Sequence, residues 1–197
     1  MRPLSTKTAE PPEVGSLLRT ERLVLRPFTV DDAPALQRLA GERVIADTMI
    51  SVPHPFTLDA AHAWLARHAP RPGAAPDVDF AVCLVADGEL VGSSALRDID
   101  PEHLQAELSF WIGRPWWGQG LASEATSAVV RYGFETLGLN RIVAYHMVRN
   151  PASGRVLARL RFRQEGLLRQ RVRKWGAFED VLVHAVLRSD YAAQGVV

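Results

Sequence analysis

Cysteine is nearly absent: Cys83 stands alone among 197 residues, which excludes an internal disulfide and any multi-thiolate metal site. Set in an apolar, strand-like run, it reads as a buried thiol and not a nucleophile, and it fits a reducing compartment. Lysine is as scarce. Lys7 and Lys174 stand against 21 arginines, and no lysine is placed to complete a Walker phosphate loop. The formal net charge is only +1, too small for the broad positive field of a nucleic-acid surface. No run approaches the roughly 18 apolar residues of a membrane span. His54, His62, His68, His103 and His184 show no metal-ligand spacing, so no metal site is expected. The first sixteen residues carry Pro3, Pro11, Pro12 and Gly15 without an apolar segment, and read as a loose tail and not a signal peptide. A cytoplasmic protein with no membrane and no nucleic-acid partner is expected.

Hydrophobic residues are plentiful at 47%, enough for one core in a chain of this length. The expected organisation is a single domain over 17–191, between a flexible tail at 1–16 and a short tail at 192–197. The stretch from Pro70 to Pro76 reads as a surface loop.

The most informative run is Trp116-Trp117-Gly118-Gln119-Gly120-Leu121-Ala122-Ser123-Glu124. It leads from a strand-like segment ending near Ile112 into a helix-forming stretch. Paired glycines there let backbone N–H groups and the positive end of a helix dipole face one anion. The dinucleotide fingerprint is not met, because Ser123 stands where its third glycine belongs. A tight strand-to-helix turn with small residues for packing is the alternative reading.

Around this turn the pattern alternates between strands and helices. Arg22 to Arg26 predicts a strand, Thr29 to Asp32 a capping box for a helix reaching Ala40, and Thr57 the cap of a second helix through His68. Phe80 to Ala86 and Leu90 to Leu96 flank an Asp87-Gly88 hairpin signal. Gln105 to Ile112 alternates, with Ala106, Leu108, Phe110 and Ile112 on one face and Glu107, Ser109 and Trp111 on the other. A helix from Gly120 to Leu137 carries a polar stripe of Glu124, Ser127, Arg131 and Glu135. Arg141 to Met147 predicts a strand and Ala152 to Arg161 a helix. Strands at Gln164–Arg173 and Asp180–Leu187 flank a Trp175-Gly176 turn. These elements give a mixed α/β layer structure around one sheet.

The glycine turn, Asn150-Pro151-Ala152-Ser153 opening a helix, Glu107 upstream and Trp175 to Val181 near the end resemble the GNAT acetyltransferase superfamily, in particular its RimJ/RimL type. The resemblance runs from Thr20-Glu21-Arg22-Leu23 to about Tyr191. It implies a central, mostly antiparallel sheet of about six or seven strands flanked by helices. It also implies an acyltransferase moving an acetyl group from acetyl-CoA to a primary amine, most simply a protein N-terminal α-amine. A small-molecule amine and a non-catalytic acyl-CoA sensor remain as alternatives, and a homodimer is left open. Two departures stand out: Leu160-Arg161-Phe162 lacks a glycine suited to a left-handed cap, and Gly154 replaces a larger residue.

By the resemblance, Phe110, Trp111, Ile112, Trp117, Gly118, Gln119, Gly120, Leu121, Ala122, Ser123, Asn150 and Ser153 hold the cofactor, with Glu107 as general base and Ser153 as general acid. Each has a plainer alternative. Glu107 is equally a solvated strand residue, Asn150 a helix N-cap and Ser153 first-turn decoration. Trp111, Trp116 and Trp117 read as core residues beside a turn. His146 is a reserve proton acceptor, and only one of Tyr145 and His146 can face the cleft. Arg169, Arg171 and Arg173 read as a basic stripe on an edge strand.

Overall fold

Alternating Leu23 and Leu25, both fully buried, begin a sheet that continues through most of the chain. The structure, a computed structural model, describes residues 17–68 and 77–192. The expected tail over 1–16, the Pro70–Pro76 loop and positions 193–197 lie outside the described residues.

Eight strands form one sheet in the order β1-β2-β3-β4-β5-β6-β8-β7. They are β1 (Leu18–Arg19), β2 (Leu23–Pro27), β3 (Val78–Leu84), β4 (Leu90–Asp100), β5 (Gln105–Ile112), β6 (Arg141–Met147), β7 (Arg163–Lys174) and β8 (Ala177–Leu187). Every neighbouring pair is antiparallel except β5 and β6. The strand beyond the expected six or seven is the two-residue β1, too short to show periodicity.

Helices cover both faces. On one, α4 (Leu121–Glu135) buries Leu121, Ala125, Val129 and Tyr132 against Phe80, Leu96, Leu108 and Ile142. Its polar stripe behaves as expected, with Ser127, Arg131 and Glu135 exposed. The helix α5 (Pro151–Arg159) adds Leu157 to the same core. On the other face lie α1 (Ala33–Ala40) and α3 (Leu58–His68), whose Ala33, Leu36, Ala40 and Ala61 pack with Phe28, Trp64 and Trp111. Cys83 is buried there beside Leu39 and Ala81, and burial pushes its thiol up, which keeps it unreactive. Two short helices, α2 (Arg43–Thr48) and α6 (Arg188–Ala192), were not legible in the pattern because neither is long enough to repeat a 3.6-residue period. Among the described residues, no helix is long and apolar enough to cross a membrane.

Local chemistry explains the junctions. The Thr57 hydroxyl accepts the Ala60 N–H at 3.1 Å, capping α3 as expected. The Asp32 carboxylate accepts the Thr29 N–H at 2.8 Å and is gripped by both terminal nitrogens of Arg26 at 2.8 Å, which anchors the start of α1 to β2. The β3–β4 connection is longer than its two-residue signal: Leu84 N–H donates to Glu89 O, and Gly88 N–H closes back on Leu84 O. Trp175 and Gly176, with φ of 52° and 86°, do form a two-residue hairpin between Lys174 and Ala177.

Arg161 takes the left-handed conformation that the missing glycine would have favoured, at φ 61°. The Phe162 N–H reaches Leu157 O and the Arg161 N–H reaches Ala158 O, the paired bonds of a Schellman cap. Arg161→Gly therefore relieves strain at an exposed site and raises stability by about 1 kcal/mol. Urea unfolding checks this, and an unchanged or lowered midpoint refutes it.

Candidate active site

The site starts where β5 and β6 part. Their parallel ladder pairs Gln105 with Arg141, Ala106 with Ile142, Glu107 with Val143 and Leu108 with Ala144, and then ends. Yet β5 stays paired to β4 as far as Ile112, and β6 stays paired to β8 as far as Met147. The sheet splits into a wedge whose β5 wall carries Ser109, Phe110, Trp111 and Ile112. Among the described residues, main-chain groups facing that gap have no strand partner, and they suit an extended, amide-bearing ligand.

Beyond β5 the chain turns through Arg114–Trp116 into the glycine pair. Gly118 and Gly120 have φ of 77° and 80°, a region that side chains rarely adopt. A Cβ on Gly118 would meet nothing within 4 Å and one on Gly120 only Arg22 Nη2, so the space in front of α4 is open. Leu121, Ala122 and Ser123 form the first turn, where N–H groups lack an intrahelical acceptor and the dipole is positive. The Ser123 hydroxyl is buried with no hydrogen-bond partner. Open space, orphan donors and an unpartnered hydroxyl fit an anionic diphosphate, and these residues would hold one. Trp117 is 46% exposed, and its indole N–H donates to Ile112 O at 2.6 Å, fastening the turn to the end of β5. Trp111 and Trp116 pack into the core, in keeping with the plainer reading of both.

Arg22 stands apart from every motif in the sequence. Its guanidinium reaches Gln119 O and the Glu124 carboxylate, and so links β2 to the glycine turn. Contacts between residues so far apart in the chain leave no local signature.

On the β6 side, Asn150 caps α5: its side-chain oxygen accepts the Ser153 N–H at 3.4 Å and its amide donates to Ser153 Oγ at 2.9 Å. Capping thus accounts for the asparagine. Ser153 Oγ, already accepting, keeps its own proton free to donate.

Glu107 lies one rung before the ladder ends, half-buried between Arg97 on β4 and Val143 on β6. Burial pushes its carboxyl above the usual range, Asp98 adds to this, and Arg97 and Arg171 offset part of it. Arg97 is largely committed elsewhere, donating to Asp79 Oδ1 at 2.6 Å and lying over the Trp64 ring. Tyr145, two residues on from Val143, is on Glu107's face of the sheet and half-exposed.

His146 is on the opposite face, 5% exposed, and does not meet Glu107. Its Nδ1 lies 3.0 Å from Met147 O, which as an acceptor assigns the proton to Nδ1. Its Nε2 then accepts from His184 Nε2 at 3.1 Å. Burial and His146 together hold His184 below the usual histidine range. The His146 ring occupies the space at Gly154, where a Cβ would come within 3.0 Å of Nε2. The unexpected glycine makes room for the ring.

The basic stripe is less regular than expected. Arg169, Arg171 and Arg173 are exposed on the outer strand β7, but a bulge between Leu168 and Val172 breaks the alternation. Arg171 acts electrostatically on Glu107. Nearby, α2 borders an open depression of about 560 Å³ lined by Glu42, Arg43, Val44, Asp47 and Arg114. Asp47 there accepts from Arg149 Nη1 at 2.7 Å and from the Trp175 indole, tying α2 to the β7–β8 hairpin. Among the described residues, no group of three or more His, Cys, Asp or Glu side chains could hold a metal ion.

Residues 22–163 match the acetyltransferase (GNAT) domain family. The chain is 34% identical over 179 residues to the uncharacterised N-acetyltransferase p20 of Bacillus licheniformis, covering 89% of this chain and 98% of that one. It is 37% identical over 84 residues to the ribosomal protein uS5 alanine N-acetyltransferase of Escherichia coli K12, covering 43% of each. Spermidine N-acetyltransferase from Vibrio cholerae, solved in complex with CoA and spermine, shares the fold with a TM-score of 0.77 and 24% identity, over 88% of this chain and 99% of that one.

Proposed function

Because the chain belongs to the GNAT acetyltransferase family and is an acetyl-CoA-dependent N-acetyltransferase, we propose that it acetylates the α-amine of a protein N-terminus by direct transfer in a ternary complex. The observation that carries this reading is Glu107, a half-buried carboxylate with a raised pKa at the closed end of the wedge. An α-amine, with a pKa near 7.7 to 8, gives up its proton far more readily than a lysine near 10.4. One carboxylate raised toward neutrality suffices as its base. The partial likeness to the uS5 alanine N-acetyltransferase supports the same acceptor class, and with it a cytoplasmic site of action.

Bound acetyl-CoA supplies an electrophilic thioester carbonyl. Gly118 to Ser123 hold its diphosphate, and the open edge of β5 takes its amide-bearing arm. Glu107 accepts the ammonium proton, which frees the nitrogen lone pair for attack. A backbone N–H near Trp111 or Ile112 stabilises the developing oxyanion. Ser153, oriented by Asn150, donates its proton to the departing sulfur and is reprotonated by the second proton that the attacking nitrogen loses as the adduct collapses. No covalent enzyme intermediate is needed, since the buried Cys83 thiol is unreactive.

Release of free thiol from acetyl-CoA tests the proposal across peptides with free N-termini, the same peptides with blocked N-termini, and polyamines. Free peptides turn over with the highest kcat/KM and blocked ones do not react. A polyamine preferred over every peptide replaces the acceptor class, and binding without turnover on any amine makes the chain a sensor. Ser153→Ala lowers kcat on the order of 10²-fold while raising the KM for acetyl-CoA less, because a general acid acts in the transition state. If only the KM changes, Ser153 is a binding residue.

A further inference from the structure

Arg22 and Glu124 form a compact polar unit at the edge of the glycine turn. Arg22 Nε donates to Glu124 Oε2 at 2.7 Å and Nη2 lies 2.6 Å from the same oxygen. The Arg22 N–H donates to Glu124 Oε1 at 2.9 Å, and the Thr20 hydroxyl donates to that oxygen at 2.6 Å. The remaining guanidinium nitrogen, Nη1, donates to Gln119 O at 2.9 Å. A Cβ on Gly120 would come within 3.6 Å of Nη2, so the cation lies beside the glycine turn itself.

Two consequences follow for an anion held at that turn. Glu124 places a full negative charge in the first turn of α4, in reach of a bound diphosphate. Burial alone would raise its carboxyl, but the Thr20 and Arg22 donors outweigh burial and hold it ionised. Without Arg22 this charge opposes the ligand. The second consequence concerns the peptide between Gln119 and Gly120. In a trans peptide the carbonyl and the following N–H point in opposite directions. With Gln119 O drawn to Arg22, the Gly120 N–H is turned away from the guanidinium, and glycine on the C-terminal side would otherwise let the plane rotate at little cost.

We propose that Arg22 is a positioning residue for the cofactor diphosphate, cancelling the Glu124 charge and fixing the Gln119–Gly120 peptide plane. This rests on the reading that the glycine turn holds that diphosphate. The Arg22 side chain is 46% exposed and that of Glu124 18%, and a pair open to solvent on its cationic side adds little stability, so its main effect falls on the ligand.

Calorimetry with CoA and, in parallel, with pantetheine, which lacks the diphosphate, separates the outcomes. Arg22→Gln weakens CoA about tenfold and leaves pantetheine affinity and the unliganded melting temperature nearly unchanged. Arg22→Lys, which keeps the charge, stays within about threefold of the native affinity. Glu124→Gln binds CoA at least as tightly as the native chain, and Arg22→Gln/Glu124→Gln recovers most of the single-variant loss. Equal losses for CoA and pantetheine overturn the proposal by making Arg22 a purely structural residue. A double variant no tighter than Arg22→Gln removes the charge-cancelling role and overturns it as stated. A native chain that binds CoA no more tightly than pantetheine overturns the diphosphate reading and the proposal together.

Discussion

Glu107→Gln lowers kcat by roughly 10²-fold or more, the usual cost of losing a general base. The substitution keeps the size and hydrogen-bonding capacity of a side chain wedged between Arg97 and Val143, and deletes only proton acceptance. The pH profile carries the diagnosis. Glu107 has its pKa raised by burial, so in the native chain the rate falls as pH drops through that raised value and the base becomes protonated. The variant lacks this titration. Its deficit shrinks as pH rises across the α-amine pKa, where more of the acceptor is already neutral. Rates measured from about pH 6 to pH 9 with chemistry rate-limiting distinguish the cases. Parallel profiles for the two proteins assign proton removal to water, and a changed melting temperature with intact kinetics makes Glu107 structural. His146 does not replace it, being buried on the other face with both ring nitrogens engaged.

Gly120→Val raises the dissociation constant for acetyl-CoA by about 10²-fold or more, equivalent to about 2.8 kcal/mol. Two effects combine. A β-branched residue at φ 80° costs about 1–2 kcal/mol of strain, and its side chain enters the open space beside Arg22 where the diphosphate is proposed to lie. Gly88→Val separates them, because Gly88 has a similar φ of 75° with open space around it in the β3–β4 turn. It suffers comparable backbone strain and binds acetyl-CoA normally. Calorimetry on both variants decides: unchanged affinity in a folded Gly120→Val protein removes the glycine turn from cofactor binding.

Much of this architecture is legible where one residue's neighbours in sequence determine its conformation. The alternation of Ala106, Leu108, Phe110 and Ile112 marked β5 over Gln105–Ile112, and Arg141–Met147 marked β6, both with the bounds observed. Caps at Thr57 and Asn150 and the turn at Trp175-Gly176 are local chemistry and read the same way. Alternation tells which face a residue takes but not which strand lies beside it, so the wedge between β5 and β6 left no trace in the pattern. The same limit hid Arg22 against Glu124, brought together by the packing of α4 on the sheet, and His146 against His184, brought together by the pairing of β6 with β8. Arg161 is a different case. Its sequence signalled the absence of a glycine, and the backbone adopted the glycine conformation regardless, because the Schellman bonds and the packing of Phe162 fix that cap.

The four rungs between β5 and β6 have a mechanical meaning as well. Among the described residues they are, with the Asn140 and Arg141 N–H groups that donate to Leu104 O beside them, the main-chain joint between a five-stranded half, β1 to β5, and a three-stranded half, β6 to β8. Each half is a run of antiparallel neighbours, whereas the joint is parallel and four rungs long, a pairing slightly less stable per residue. The joint is therefore where sub-global opening begins, with amide exchange fastest at Leu108 and Ala144 and slowing toward Gln105 and Arg141. Anything that bridges both walls of the wedge acts as a rivet across this joint and slows exchange in both halves at once.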